Sequence, residues 1–538
     1  MNNNTSNNQE YDAIIVGAGF AGLYQLICLR DQLGLNCLII ETGDDVGGTW
    51  YWNRYPGARC DTESHAYSYY FSDELLKEWT WSERYPGHAE IRKYINFVSA
   101  KFDLKKDILF NHKVINAEFD ENNNQWNLVT NNNKKFQAKF LIAAVGCLSN
   151  TNIPNINGLN EFQGKYYHTG NWPKKGVSFK NKKVGQIGTG STGIQAVPVI
   201  ASEAKHLTVF QRTANYSIPA RNGPLSKEFK DHVKKDYEYY RKFLKKTPNG
   251  HPFEISTRLV SDVDTKERND IYEKAWEKGG LQFRATFNDL VTNIEANKTA
   301  SEFIKEKIRK IVLNKGFAKI LSDIDHPYAG KRPPIDSHYF EAFNRDNINL
   351  IDLKSDPILY IDKRGIKTKK NHFNLDIIVF ATGYDAMTGP LLNMNITGKK
   401  NLKLHDVWAN GPKTFLGIQI PGFPNLFTVT GPGSPSVLTN MPMAIEQHVE
   451  WITDCISFMN QKKYSTIEAD QKSSKEWGLE VNKVANKTLL PTVKHSWYLG
   501  ANIPGKPKVF MPYAGGLPRY TKICNQVKNE NYKGFNLN

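Results

Sequence analysis

The sequence predicts an α/β chain built of two strand–turn–helix–strand units, the second interrupted by a helical insertion. Three observations carry that reading. A Gly-x-Gly-x-x-Gly turn stands between a strand pattern and a helix pattern twice, at Gly17, Gly19 and Gly22 and again at Gly188, Gly190 and Gly193. Each turn is followed, 19 residues after its last glycine, by a charged residue where a second strand ends: Glu41 in the first unit, Arg212 in the second. Between residues 224 and 330 the apolar residues recur at helical spacing, and no strand pattern of comparable quality appears there.

Composition bounds the rest. At ~150 residues per domain, 538 residues suit two to four domains. A chain that is 40% hydrophobic and 23% charged is neither disordered nor fibrous. No apolar run approaches the ~18 residues of a membrane span without a polar interruption. The opening MNNNTSNNQEYD has no basic or apolar signal region and reads as a short disordered tail. The cysteines at 28, 37, 60, 147, 455 and 524 form no Cys-x-x-Cys, and in a chain without a signal they fit a reducing, cytoplasmic setting. The histidines have no metal-ligand spacing, so no metal is expected. Lys+Arg 70 against Asp+Glu 54 gives +16. The lysines are spread along the chain, and the densest cluster, Lys230 to Lys246, carries apolar residues at helical spacing. That is a surface helix rather than a nucleic-acid stripe, so no nucleic-acid partner is expected. The positive field still helps to gather an anionic cofactor.

In the first unit a strand, Ala13 to Val16, runs into the glycine turn, a helix follows through Leu29, and a second strand, Asn36 to Ile40, ends at Glu41. Glycines there permit the tight turn, the close approach of backbone to a pyrophosphate and the packing of helix on strand. The helix N-terminus faces the phosphates and Glu41 takes the ribose hydroxyls. In the second unit a strand ending at Ile187 leads into Gly188, Thr189, Gly190, Ser191 and Gly193, then a helix, then a strand from His206 to Phe210. Here the chemistry at the strand end is reversed. A carboxylate would repel a 2′-phosphate, whereas Arg212 with Thr213 beside it would bind one. One site therefore suits an unphosphorylated adenosine ribose and the other NADPH. Two further strands, Phe140 to Val145 and Ile377 to Phe380, run into Gly146 and Gly383. Helices are expected over Leu225 to Leu244, Ile271 to Trp276, Ser301 to Leu313 and about Pro442 to Phe458, with a frayed end from Lys528 to Asn538. The expected division is residues 1–145 and 388–538 for one Rossmann-like domain, which the resemblance described next makes FAD-binding, 146–223 and 331–387 for the NADP-binding domain, and 224–330 for the helical insertion.

Two longer motifs narrow the class. Phe162-x-Gly164-x-x-x-His168-Thr169-x-x-Trp172-Pro173 stands just before the second glycine turn, and Gly47-Gly48-Thr49-Trp50-x-x-x-x-Tyr55-Pro56-Gly57-x-x-x-Asp61 follows the first unit. With the two glycine turns flanking the first of these, the chain resembles the type I Baeyer–Villiger monooxygenases from about residue 11 to 520. The loop Gly431 to Met441 is most similar to the phenylacetone monooxygenase branch. The resemblance implies FAD and NADPH as cofactors, O2 and a ketone as substrates, and an ester or lactone as product, by way of a C4a-peroxyflavin. It implies Lys331 beside the 2′-phosphate with Arg212 and Thr213, Arg332 beside the flavin ring with Asp61 as its carboxylate partner, and Trp497 at the NADP ribose. It further implies Thr49, Trp50, Tyr67, Val114 and Met441 as FAD neighbours. An arginine suits the flavin side because it keeps its proton and can hold a developing oxyanion. His168 is expected to bond backbone rather than move protons. The alternative reading is a flavin monooxygenase that oxidises nitrogen or sulfur in soft nucleophiles. Oligomeric state is not legible.

Overall fold

The structure is a computed structural model and describes residues 9–538; the tail expected at the start falls largely on residues 1–8, outside the described residues. Six strands open the chain: β1 (Gln9–Val16), β2 (Cys37–Ile40), β3 (Ile108–Leu109), β4 (Val114–Asp120), β5 (Gln125–Thr130) and β6 (Lys135–Ala143). β1 lies between β6 and β2, parallel to both, with Ile15 opposite Ile39 on one side and Ile142 on the other. A strand buried on both faces should be apolar throughout rather than alternating. The run Ala13-Ile14-Ile15-Val16 is, and its odd and even members enter different cores. Ala13 and Ile15 pack with Ile39, Ile142 and the long C-terminal helix, while Ile14 and Val16 pack with Leu38, Ile40 and Leu141. The helix expected through Leu29 is an α-helix over Phe20–Leu26 continued by a π-helical turn over Ile27–Gln32.

The chain then builds a second sheet. Its members are β7 (Lys165–His168), β8 (Lys183–Ile187) and β9 (His206–Gln211), with β10 (Ile218–Pro219) and β11 (Ile335–Asp336) forming a small pair beside it. β12 (Ile348–Asp352) joins the far edge of β9. After a three-stranded excursion, β13 (Ile358–Asp362), β14 (Gly365–Thr368) and β15 (His372–Asn374), β16 (Ile377–Phe380) inserts between β8 and β7. The order β12-β9-β8-β16-β7 is parallel throughout. β17 (Ile396–Thr397) and β18 (Leu426–Thr428) return to the first sheet. β18 pairs with Leu141, Ile142 and Ala143 of β6, on the edge that β5 pairs antiparallel further back.

Residues 224–330 hold five helices, Lys227–Lys235, Tyr237–Lys246, Thr265–Lys278, Ile294–Ile311 and Lys315–Ser322. The single helix expected over Leu225 to Leu244 is broken at Asp236, whose ψ of 25° leaves the helical region. The last three begin at Asp264, Asn293 and Asn314, each accepting first-turn backbone N–H groups through its side chain. Tyr272, Trp276, Phe283, Ile304 and Ile308 share one core with Leu207 and Val209 of the second sheet and Ile200 of the helix Ser191–Glu203, so the insertion is packed onto that unit.

The C-terminus corrects the sequence reading. In place of a frayed end, a helix over Leu517–Asn529 leads to β20 (Phe535–Leu537), antiparallel to β19 (Ile467–Ala469). Tyr532 is buried, and the Phe535 ring packs against Phe415 and Trp451. Aromatic anchoring outweighs the polar composition of this stretch.

Candidate active site

The two glycine turns reproduce each other atom for atom where their own packing demands it. A Cβ on Gly22 would stand 1.8 Å from the Gly17 carbonyl oxygen, and one on Gly193 2.3 Å from that of Gly188. Gly17 and Gly188, at φ of 106° and 109°, pass close to the carbonyls of Ala144 and Ala381 at the ends of neighbouring strands, where a Cβ would stand 2.7 and 2.3 Å away. The middle glycines differ. Gly19 lies against Gly48, tying the Gly47-Gly48-Thr49-Trp50 motif to the first turn, and Gly47 N–H donates to the Ala18 carbonyl at 3.0 Å. A Cβ at Gly190 would meet no protein atom within 4 Å, so the fold itself does not require glycine there. A backbone approached by a bound pyrophosphate does. The helix over Ser191–Glu203 starts from Gly190 with no side-chain cap, leaving its first N–H groups for an anion. The residues fit dinucleotides in both units.

Glu41 is 5% exposed at the end of β2. One carboxylate oxygen accepts from Ala18 N–H at 2.7 Å and the other from Gly43 N–H at 2.6 Å. Burial pushes its pKa up against those bonds. Each oxygen keeps a lone pair for a ribose hydroxyl, and the same side chain holds the glycine turn in shape, a second duty the sequence reading did not assign. Glu41→Ala removes the acceptor for the ribose hydroxyls along with the two bonds that shape the turn; a hydrogen bond to a charged group is worth ~1.5–3 kcal/mol, so FAD affinity is expected to fall at least tenfold with coenzyme preference unchanged. Flavin-to-protein absorbance after gel filtration, with kcat/KM for both coenzymes, checks this. Preference moving while FAD stays bound means that the two nucleotide sites are exchanged.

The other expected flavin neighbours fall in three places. Thr49 and Trp50 open a one-turn helix, Thr49–Trp52; Thr49 is exposed, whereas Trp50 is buried and donates its indole N–H to the Tyr67 hydroxyl at 3.0 Å. Val114 opens β4, packed among Val16, Leu38 and Ile40. Met441 is not a loop residue as expected. It begins the helix Met441–Lys462, because Pro442 suits the first helical turn, and it packs against two cores.

On the second unit, Thr189 Oγ donates to the Thr213 carbonyl at 3.0 Å, fixing the turn beside Arg212. Burial lowers the Lys331 pKa; Asp325 opposes the shift and Arg212 adds to it, so the two cations share one neighbourhood. No carboxylate among the described residues lies within 4 Å of either. Two like charges held together with no carboxylate in direct contact make a site for a dianion.

Arg332 and Asp61, 271 positions apart, form a bidentate pair with N···O distances of 2.5 and 2.8 Å, and Arg332 Nη1 donates to the Val437 carbonyl at 2.8 Å. Burial works against the charge, but the attraction and hydrogen bonds of Asp61 outweigh it and hold the guanidinium above its ordinary value. Three donors are spent. A guanidinium has five, so two remain for an oxygen anion. Trp497 opens a short turn over Trp497–Leu499 and packs with Val437, Cys147 and Tyr498. The Tyr498 hydroxyl is pushed up to about 12 by burial and stays protonated beside Arg332.

His168 is 4% exposed, its Nδ1 accepting from Gly170 N–H at 3.0 Å. Burial lowers it to about 4, so the ring is neutral and bonds backbone as expected. The Tyr55-Pro56-Gly57 motif acquires a physical reason: the Tyr55 hydroxyl bonds Gln195 at 2.6 Å, and a Cβ on Gly57 would stand 2.3 Å from the Gln195 carbonyl. Gln195 Nε2 also donates to the Arg59 carbonyl, so one helix residue clamps the two nucleotide units together. Sequence reasoning missed Gln195, Asn249, His251, Arg284 and Tyr498. No local signal marked them: Arg284, for one, stands in the alternating stretch Leu-Gln-Phe-Arg-Ala-Thr-Phe over 281–287, beside the equally polar Gln282 and Thr286.

Two parallel-sheet nucleotide units, an acid at one strand end and paired cations at the other, with an arginine–carboxylate pair between them, define a two-cofactor flavoprotein oxidoreductase. The description "Flavin-binding monooxygenase-like" matches residues 11–225. The chain is 42% identical to cyclohexanone 1,2-monooxygenase of Acinetobacter sp over 99% of its length and 97% of that protein. It superposes on an oxidised steroid monooxygenase bound to NADP with a TM-score of 0.94, 44% identity, and 98% and 99% of the two chains covered. On an OTEMO complex with FAD and NADP the TM-score is 0.95, at 38% identity, with 99% and 100% covered. The chain belongs to the Baeyer–Villiger monooxygenases, and its cofactors are FAD and NADP(H). These likenesses speak to the family as a whole, and the branch read from residues 431–441 stays an expectation. No helix among the described residues is long and apolar enough to cross a membrane.

Proposed function

We propose that the protein inserts one atom of O2 beside the carbonyl of a ketone, giving an ester or lactone, and that Arg332 with Asp61 is the centre at which it does so. The observation that carries this reading is Arg332 itself, fixed by Asp61 and the Val437 carbonyl with two donors unspent. Residues 1–145 and 388–538 are assigned to FAD, with Gly17, Gly19, Gly22, Glu41, Thr49, Trp50, Tyr67, Val114 and Met441 around it. Residues 146–223 and 331–387 are assigned to NADPH, with Gly188, Thr189, Gly190, Ser191, Gly193, Arg212, Thr213, Lys331 and Trp497. Residues 224–330 close the site from outside.

Reduced by NADPH, the bound flavin supplies activated oxygen. The protein's own part is positional and electrostatic. Arg332 receives the negative charge that develops on the substrate's carbonyl oxygen, and Asp61 fixes the orientation of the planar guanidinium through its bidentate pair. Val437 and Leu438 give the ketone an apolar wall. Oxidation of nitrogen or sulfur develops no such oxyanion on the substrate and would leave this arginine without a purpose. The reading places the enzyme in the cytoplasm, in keeping with its six free, buried cysteines. A panel of cyclic, linear and aryl ketones, with NADPH and air and with products identified by mass, tests it. Esters or lactones formed in step with NADPH use are expected. NADPH consumed to peroxide with every ketone, beside oxidation of amines or sulfides, overturns it.

A further inference from the structure

A second arginine stands beside the first, and nothing above gives it work. Arg284 belongs to the insertion, in a turn over Leu281–Ala285 whose neighbours Leu281, Phe283 and Ala285 are buried. Its one hydrogen bond runs from Nη2 to Asn249 Oδ1 at 2.5 Å. Asn249 in turn donates to the Leu438 carbonyl at 2.7 Å, and its own carbonyl accepts from Asn440 N–H at 2.8 Å. Arg332 is held by the Val437 carbonyl. The two guanidiniums are therefore anchored to adjacent residues of one loop, the loop that walls the ketone.

Their electrostatics differ. Asp61 neutralises Arg332, whereas no carboxylate among the described residues lies within 4 Å of Arg284. Burial and then the Arg332 charge bring the Arg284 pKa down from its ordinary value, with Tyr328, Tyr498 and Asp61 opposing weakly. His251, 2% exposed and stacked on Phe253, is held neutral by burial and by both arginines, so it adds no third positive charge. Arg284 is half-buried, and a guanidinium held there beside a second one with no carboxylate in contact is unfavourable. Four of its five donors are uncommitted, and a planar fork of that kind matches a carboxylate.

Resting on the ketone reading above, we propose that Arg284 is a specificity-determining residue that selects ketones carrying an anionic substituent, a carboxylate foremost. The anion sits on Arg284 while the carbonyl faces Arg332, so the spacing of the two guanidiniums orients the substrate and fixes which side of the carbonyl receives the oxygen.

The probe is a pair that differs in charge and by one methyl group, 2-oxocyclohexylacetate and its methyl ester, given to the holoenzyme at low ionic strength. The carboxylate is expected to be preferred at least tenfold in kcat/KM. Arg284→Met is expected to lower that preference ratio at least tenfold, and Arg284→Lys to keep a larger share of it, since the charge is retained without the fork. FAD content and the rate of anaerobic flavin bleaching by NADPH show that each variant is assembled. An ester used as well as the carboxylate, or a ratio unmoved by Arg284→Met, overturns the proposal and leaves the ketone reading standing. A KM for NADPH raised alike with both ketones by Arg284→Met also overturns it, making Arg284 a coenzyme ligand. Product from neither ketone, nor from any in the panel, sinks the ketone reading and this inference with it.

Discussion

Arg332→Ala is expected to leave the flavin reducible by NADPH and to abolish the ester. Hydride delivery needs the nicotinamide held against the flavin, and the residues assigned to hold the coenzyme, Arg212, Thr213 and Lys331 at its 2′-phosphate and Trp497 at its ribose, are untouched. Oxygen transfer needs a cation at the substrate's carbonyl oxygen. An oriented donor to such a charge is worth about 3–4 kcal/mol, or about 10²–10³ in rate, and Arg332 offers two unspent N–H groups at one point. Anaerobic bleaching should persist, slowed where the nicotinamide loses a neighbour. On admitting oxygen, NADPH consumption should end in hydrogen peroxide. Arg332→Lys should rescue little, since an ammonium cannot hold Asp61 bidentately and the Val437 carbonyl at once. Asp61→Ala should slow both half-reactions, because the guanidinium loses its orienting partner and stays partly buried without a counter-charge. The measurement that decides is ester formed per reduced flavin in a single turnover. A near-normal yield from Arg332→Ala makes the pair a structural ion pair and moves the oxyanion site elsewhere.

Most of what positions this site was legible because it is local. A glycine turn between a strand and a helix is written in a few consecutive residues, and so is a charge 19 positions later at a strand end. Gly22 and Gly193 could be read as obligatory from spacing alone, and the structure shows the clash that makes them so. The family motifs carried Asp61 and Arg332 to each other across 271 positions, which no periodicity could do. What stayed hidden depends on tertiary approach. Gln195 looks like any polar residue on a helix until Tyr55 and Arg59 are brought to it from the other unit. Arg284 shows its isolation only when its surroundings can be searched for a carboxylate. The frayed C-terminus was misread for the same reason, because local polarity says nothing of Phe415 and Trp451 waiting for Phe535. Asp236 broke an expected helix since amphipathic spacing continues across a kink unnoticed.

Removing Arg212 and Lys331 together is expected to erase the coenzyme preference. The unmodified enzyme should favour NADPH over NADH more than tenfold in kcat/KM, because the pair presents two cations and no carboxylate to the single group that distinguishes the coenzymes. Each charge-assisted contact is worth ~1.5–3 kcal/mol. Arg212 is exposed, so its share belongs at the lower end and should shrink as salt is raised. Two such contacts at that lower end still amount to about 10² in kcat/KM for NADPH. NADH, which lacks the 2′-phosphate, should lose little in the same variant. Thr213 and Thr189 hold the turn and are expected to matter less than the charges. The pH dependence has a definite sign. kcat/KM reports groups of the free enzyme, and burial together with Arg212 brings the Lys331 pKa below that of an ordinary lysine. Preference for NADPH should therefore be full at neutral pH and fall on the alkaline side before a free lysine would titrate. Lys331→Arg should move that fall out of reach, as a guanidinium keeps its proton. Steady-state kinetics with both coenzymes at two ionic strengths, across neutral to alkaline pH, supply every term. Equal use of NADPH and NADH by the unmodified protein would remove the 2′-phosphate from this site and leave Arg212 and Lys331 as surface cations.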